Sequence, residues 1–171
     1  VSLTIVATTD YAPPDVARLR EIGLFGGLSD EALADLAKAL TLTLFEPGAA
    51  VVREGEAGRE MYVILDGEAE VLRSGSHREP RVISVLGPGD WFGEMAMIDL
   101  EPRSATVRAV SALRALRLTM QEIKNIYRKD AKSYALLVLN VARQLSRRLR
   151  VADGLIAEHA GTFTTDPPPA K

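Results

Sequence analysis

Apolar and polar positions change their period twice along this chain. From residue 41 to residue 118 the apolar stretches are short and are broken by turn chemistry: Pro47-Gly48, Gly55 with Gly58, Asp66-Gly67, Ser74-Gly75 and Gly87-Pro88-Gly89-Asp90. Met61, Val63 and Leu65 interleave with Tyr62 and Ile64, and Ala69 and Val71 resume after the Asp66-Gly67 turn. Residues 82–86, 105–110 and 113–118 repeat the theme. Many short strands spaced about 8–12 residues apart predict a sandwich, roll or barrel. On either side the period is helical. Upstream, residues 15–22 read as a short helix. Ser29 is a good N-cap for a second one, in which Leu33, Leu36, Ala37 and Leu40 recur at helical spacing. Downstream, Thr119 and Glu122 make a T-x-x-E capping box that opens a helix reaching about Tyr127. A longer helix follows from about Asp130 to Ala160.

The pattern therefore predicts a mainly β domain with flanking helices, and its size agrees. The 171 residues suit one domain, and a chain of that length buries roughly 70% of its unfolded surface without help from metals or disulfides. Residues 1–14 end in Pro13-Pro14 and read as an N-terminal arm. Residues 15–160 form the domain, with strands over 41–118 and C-terminal helices over 119–160. Residues 161–171, with Pro167-Pro168-Pro169, read as a disordered tail. No cysteine is present, which removes disulfides, zinc thiolates and thiol nucleophiles and fits a reducing cytoplasm, the expected location. The formal net charge of -2 gives no global basic field for nucleic acid. No apolar run approaches the ~20 residues of a membrane span. His77 and His159 lie far apart in polar surroundings and read as surface residues, and no nucleophile elbow or Ser/His/Asp arrangement is visible. An enzyme is therefore not expected, nor a metal or cofactor.

The candidate chemistry lies in residues 89–107, Gly-Asp-Trp-Phe-Gly-Glu-Met-Ala-Met-Ile-Asp-Leu-Glu-Pro-Arg-Ser-Ala-Thr-Val. The run reads as strand end, glycine turn, one turn of helix, loop, arginine, strand. A helix N-terminus offers unpaired N–H groups and a positive dipole end. Gly93 lets a ligand approach the backbone closely. Arg103 can meet a phosphate in a bidentate way. Glu94, ten positions earlier, is not its helical partner. An anion site beside a hydroxyl acceptor suits a cyclic nucleotide, with its phosphate on Arg103 and its ribose 2′-OH on Glu94. Gly87, Gly89 and Gly93 do not make G-x-G-x-x-G, so no dinucleotide fold is indicated. Trp91 reads as core or turn packing.

This run resembles the phosphate-binding cassette of cyclic-nucleotide-binding domains, F-G-E-x-A-x-x-x-x-x-P-R-x-A-T-V, as found in cAMP-dependent protein kinase regulatory subunits and bacterial catabolite-activator-type sensors. Gly55-Glu56-Ala57-Gly58 followed by Met61-Tyr62-Val63-Ile64 and Gly67, and Leu24-Phe25 followed by Leu28-Ser29-Asp30, resemble further family segments, so the likeness covers about residues 24–156. The resemblance implies a double-stranded β-helix, a jelly-roll-like β-roll, with N-terminal helices and a long C-terminal helix serving as lid and dimerisation element. It implies that Arg103, the backbone near Ser104 and Ala105, and the Ala96 N–H hold the phosphate, while Gly93 and Glu94 hold the ribose. Val71 and Ile83 fall where the family lines the base pocket. Ser104 permits either base, and Asp153 on the long helix can accept from adenine or guanine. The expected ligand is cAMP ahead of cGMP. The alternative is a ligand-free roll, an assembly protein with a vestigial cassette.

The long helix carries a second signal. Val138, Ala142, Leu145, Leu149, Ala152 and Ile156 are spaced 4-3-4-3-4, an a/d seam that predicts a homodimer. Arg143, Arg147, Arg148 and Arg150 read as a solvated face. About ten residues follow the helix, where the bacterial regulators of the family continue into a helix-turn-helix, so DNA binding is not expected, nor membrane binding. The effector is expected in a partner protein or in a part of the chain beyond this stretch.

Overall fold

A computed structural model describes residues 5–6, 14–75 and 79–160. The arm apart from residues 5, 6 and 14, the 161–171 tail, His77 and the side chain of His159 lie outside the described residues. Two antiparallel sheets form the body. One has the order β1 (Ile5–Val6), β2 (Thr41–Phe45), β9 (Leu113–Thr119), β4 (Glu60–Asp66), β7 (Trp91–Phe92). The other runs β3 (Ala50–Val52), β8 (Thr106–Ala109), β5 (Ala69–Arg73), β6 (Arg81–Leu86). The pair Ile5–Val6 is a strand within the expected arm: it pairs with Phe45 and Leu44. Two residues are too few to show a period, so the sequence pattern passes over them.

The five consecutive buried residues 61–65 explain why β4 shows no polar alternation. Its strand is covered on both faces. Met61, Val63 and Leu65 join the core under the helices, whereas Tyr62 and Ile64 join the core inside the roll. β9 divides the same way, Leu116 and Leu118 outward to the helices and Leu113 and Ala115 inward. A one-residue slip would exchange the two cores, so the register is firmly set. Between β4 and β5, Gly67 has φ +86°, and a Cβ there would fall 2.3 Å from the Ala112 carbonyl oxygen, so only glycine makes this turn.

The helices cover the outer face of the five-stranded sheet. α1 (Val16–Glu21), the 3-10 turn Gly23–Phe25 and α2 (Asp30–Ala39) precede the roll, and α4 (Met120–Lys129) and α5 (Ala131–Ala160) follow it. The Thr119/Glu122 capping box forms as the sequence predicts. α5 is bolted to the N-terminal helices over its first half. Leu137 and Val141 are buried, and Asn140 donates to the carbonyls of Leu24 (3.1 Å) and Gly26 (2.9 Å).

One carboxylate joins the two ends of this helical layer. Asp130 accepts from the hydroxyls of Ser29 (2.7 Å) and Ser133 (2.6 Å) and from the Ser133 N–H (3.0 Å), while Ser29 itself caps α2. The Ser133 and Ser29 hydrogen bonds lower its pKa from 3.8 to about 2. Because the folded value lies below the unfolded one, this contribution is complete above pH 3.8 and is lost as pH falls towards 2. Asp130→Asn should therefore melt earlier than wild type at neutral pH, and the gap should close on acidification through that window. A gap independent of pH would show that the carboxylate charge plays no part.

Candidate ligand site

Arg103 sits at the entry to β8, and the backbone fixes it from both sides. Its N–H donates to the Glu56 carbonyl (2.8 Å), and its carbonyl accepts from the Gly55 N–H (2.9 Å), so the loop between β3 and β4 lies along it. The guanidinium is almost wholly buried, with the residue 5% exposed. Nη1 donates to the Gly93 carbonyl (2.9 Å) and Nη2 to Glu60 Oε1 (2.9 Å). Two glycines make room for it. A Cβ on Gly58 would lie 2.0 Å from Nε and 2.1 Å from Cζ. A Cβ on Gly93, which also has φ +89°, would lie 2.7 Å from Nη1 and 3.1 Å from the Glu60 carbonyl oxygen. Gly58 and Gly93 thus leave the space that one arginine fills, and of the two Gly93 also needs the left-handed backbone that glycine allows.

Glu94 follows Gly93 directly and caps the short helix α3 (Met95–Ile98) with its carbonyl, which accepts from Met97 (3.0 Å) and Ile98 (3.1 Å). Its side chain is buried, and Arg148 of α5 donates to Oε1 at 2.8 Å. The other Arg148 nitrogen, Nη2, donates to the Trp91 carbonyl at 2.6 Å. Burial pushes the Glu94 carboxyl above the usual carboxylate range, against the pull of Arg148 and, more weakly, Arg103. Arg103 and Glu94 are therefore neighbours through Gly93 but not each other's ion partner. Each has a counter-ion from elsewhere in the chain.

The other expected site residues divide. Ala96 is buried in α3, Ser104 and Ala105 are half-buried beside Arg103, and the Ser104 hydroxyl donates to Met95 Sδ at 3.7 Å. Val71 is half-buried and packs on the inner core. Ile83 is 59% exposed at an irregularity where β5 and β6 change register, between the pairs Val71↔Ser84 and Leu72↔Val82. Asp153 is exposed on the far half of α5. Trp91 is core, as expected. Two residues were missed. Glu60 is 43 positions from Arg103, and no local pattern ties them. Arg148 falls on the expected solvated face, and the structure corrects this: its side chain is 35% exposed and pairs with Glu94. It continues the buried face of α5 past Leu137, Val141 and half-buried Leu145, at helical spacing of 4, 4 and 3. That stripe was the available signal.

Clefts of about 220 Å³ between α2 and α4 and about 210 Å³ beside Arg18 and Pro88 include neither Arg103 nor Glu94 in their walls. Among the described residues no group of three or more His, Cys, Asp or Glu side chains could hold a metal ion, and no helix is long and apolar enough to cross a membrane.

Comparison with known proteins agrees with this geometry. Residues 42–130, just over half of the chain, match the family model described as the cyclic nucleotide-binding domain. The chain is 42% identical over 100 residues to a cAMP-dependent protein kinase regulatory subunit of Yarrowia lipolytica, which covers 58% of this chain and 26% of that protein. It is 30% identical over 141 residues to a CRP-like cAMP-activated global transcriptional regulator of Mycobacterium tuberculosis, covering 82% of this chain and 61% of that one. The chain thus spans less than two thirds of the length of either relative. Its fold matches the crystal structure of the Thermus thermophilus catabolite activator protein with a TM-score of 0.70 and 29% identity, over 81% of this chain and 63% of that one. With the family model across the roll and a glycine-seated arginine and buried glutamate in its cassette, this chain belongs to the cyclic nucleotide-binding domain family.

Proposed function

We propose that the chain is a regulatory module that binds cAMP, and more weakly cGMP, and passes occupancy on through α5. The observation that carries this is the Arg103 guanidinium, buried between Gly58 and Gly93 at the end of β7. Burying a full charge is expensive unless it is paired, and a roll that needed only stability would place an apolar side chain there. The phosphate would take Arg103 with the backbone of Ser104, Ala105 and Ala96, the ribose would take Glu94 and Gly93, and the base would lie towards Val71 and Ile83. The cAMP preference is supported by the relatives named above. Asp153, if it contacts the base, would erode it.

The coupling to α5 follows from Arg148. A ribose hydroxyl that donates to Glu94 competes with Arg148 for the same carboxylate, and release of Arg148 also frees the Trp91 carbonyl. Occupancy then changes the position of the far half of α5. Trp91 is the only tryptophan, so its fluorescence reports that release directly.

Melting with and without nucleotide tests the binding. At ~100 times its dissociation constant the ligand adds ~2.7 kcal/mol, a rise of a few degrees for this size. cAMP should raise the melting temperature most, cGMP less, and 2′-deoxy-cAMP least. No rise with cAMP or cGMP would favour the second reading, an assembly protein with a vestigial cassette. The internal pairing of both charged groups, Arg103 with Glu60 and Glu94 with Arg148, is what speaks for that reading.

The proposed partner is a second copy. Val138, Leu149 and Ile156 of the seam are 48%, 62% and 66% exposed, Ala142 and Ala152 are exposed too, and only Leu145 turns partly to its own core. Leu149→Glu with Ile156→Glu leaves the core intact and should give monomers by light scattering, because charge would be buried at the seam. A wild type that is monomeric at high concentration, with and without cAMP, would sink the dimer.

A further inference from the structure

We propose that Glu60 is a resident counter-ion that competes with the ligand's phosphate for Arg103 and so sets the affinity of the site. This rests on the reading of the cassette as a phosphate site. The geometry separates the groups that place Arg103 from the group that merely neutralises it. Placement comes from the backbone bonds to Glu56 and Gly55, from the Gly93 carbonyl on Nη1, and from the close seat over Gly58. None of these uses the Glu60 carboxylate. Glu60 contributes one ion pair, Nη2 to Oε1 at 2.9 Å.

The exposures show on which side it stands. The Arg103 side chain is 4% exposed and that of Glu60 is 30% exposed. Gly58 packs on one flat of the guanidinium, over Nε, Cζ and Nη2, and Gly93 closes the Nη1 side, so Nη2 is reached along its edge or from the other flat. The partly exposed group touching the guanidinium is Glu60, so an anion arriving from solvent meets its carboxylate at Nη2. Phosphate and carboxylate then seek the same donor, and each repels the other. Among the described residues the second carboxylate oxygen is held by the Arg59 N–H at 3.3 Å, so Glu60 can swing aside at an electrostatic cost.

Two effects of opposite sign follow for Glu60→Gln. Without ligand, Arg103 stays in place but loses its negative partner, so the protein should melt several degrees lower. With ligand, the repulsion is gone and the phosphate supplies the missing charge, so cAMP should bind about tenfold tighter, ~1.4 kcal/mol. A residue that only stabilised the fold, or only aligned Arg103, would lower melting temperature and affinity together.

The test is calorimetric titration of the full chain with cAMP, alongside melting curves, for wild type, Glu60→Gln and Glu60→Asp. The expected order of affinity is Gln above Asp above wild type, since aspartate retracts the charge without removing it. If Glu60→Gln unfolds without ligand, saturating cAMP should restore a cooperative melt. Wild type that binds cAMP beside a Glu60→Gln protein with equal or weaker affinity, or one that cAMP does not rescue, overturns the role of Glu60 alone. Failure of both proteins to bind any cyclic nucleotide removes the phosphate reading and this proposal with it.

Discussion

Arg103→Ala is expected to lower cAMP affinity roughly 30-fold or more, the consequence of losing about 2–5 kcal/mol of charge-assisted hydrogen bonding to a phosphate. The effect is large because the guanidinium fills its seat between the two glycines. The side chain that pairs with it there, Glu60, is itself an anion. The deletion turns a site that is neutral in sum into one that repels phosphate. Arg103→Lys should recover only part of the loss. An ammonium keeps the charge but not the planar fork that reaches the Gly93 carbonyl and a second acceptor at once. Titration calorimetry on both variants checks this, and near wild-type affinity for the alanine variant would end the phosphate assignment.

Arg103, Gly93 and Glu94 could be placed from the sequence because they lie in one contiguous run, where a glycine turn, a helix start and a strand fix their mutual spacing. The capping box and the length of α5 were legible for the same reason, since each is a pattern within a few turns of chain. What escaped is tertiary. Glu60 and Arg148 reach the cassette across 43 and 54 residues, and in sequence each is one charge among many. The seam at 138–156 is the stronger period on α5 and masks the face beside it. That neighbouring face, carrying Leu137, Val141 and Arg148, is the one turned into the helical core, and Arg148 carries it on to β7 of the roll. Where a helix carries two apolar stripes, the cation that extends the buried one is easily read as part of the solvated surface. The setting of Ile83 was least legible, since it depends on a local register change between β5 and β6 that no composition signals.

The Arg148 contact has a consequence for stability with its own pH signature. Arg148→Ala should destabilise the protein by about 2–3 kcal/mol, less than the ~3–5 of a fully buried broken pair, because Arg148 itself is 35% exposed and partly screened by water. Most of the cost falls on Glu94, whose side chain is 3% exposed and would be left buried and ionised. Burial already raises its pKa, and Arg148 is the largest influence pulling it down, so the variant raises it further. The unfolded carboxyl returns to 4.5. The folded state therefore binds its proton more tightly than the unfolded state, and the ionised form opposes folding at every pH above the folded value. As pH falls through that value the carboxyl is protonated and the penalty lifts. The melting gap between wild type and Arg148→Ala should consequently be widest near neutrality and narrow as pH falls through the raised folded value towards the unfolded 4.5. Adding Glu94→Gln to Arg148→Ala removes the titrating group, so the double variant should melt above the single one near neutrality and lose this pH dependence. Trp91 emission should shift in the single variant, because α5 has lost its bond to the Trp91 carbonyl. A gap that stays constant across the range, or a double variant no more stable than Arg148→Ala, would show that Arg148 acts by packing and that Glu94 does not depend on it for neutralisation.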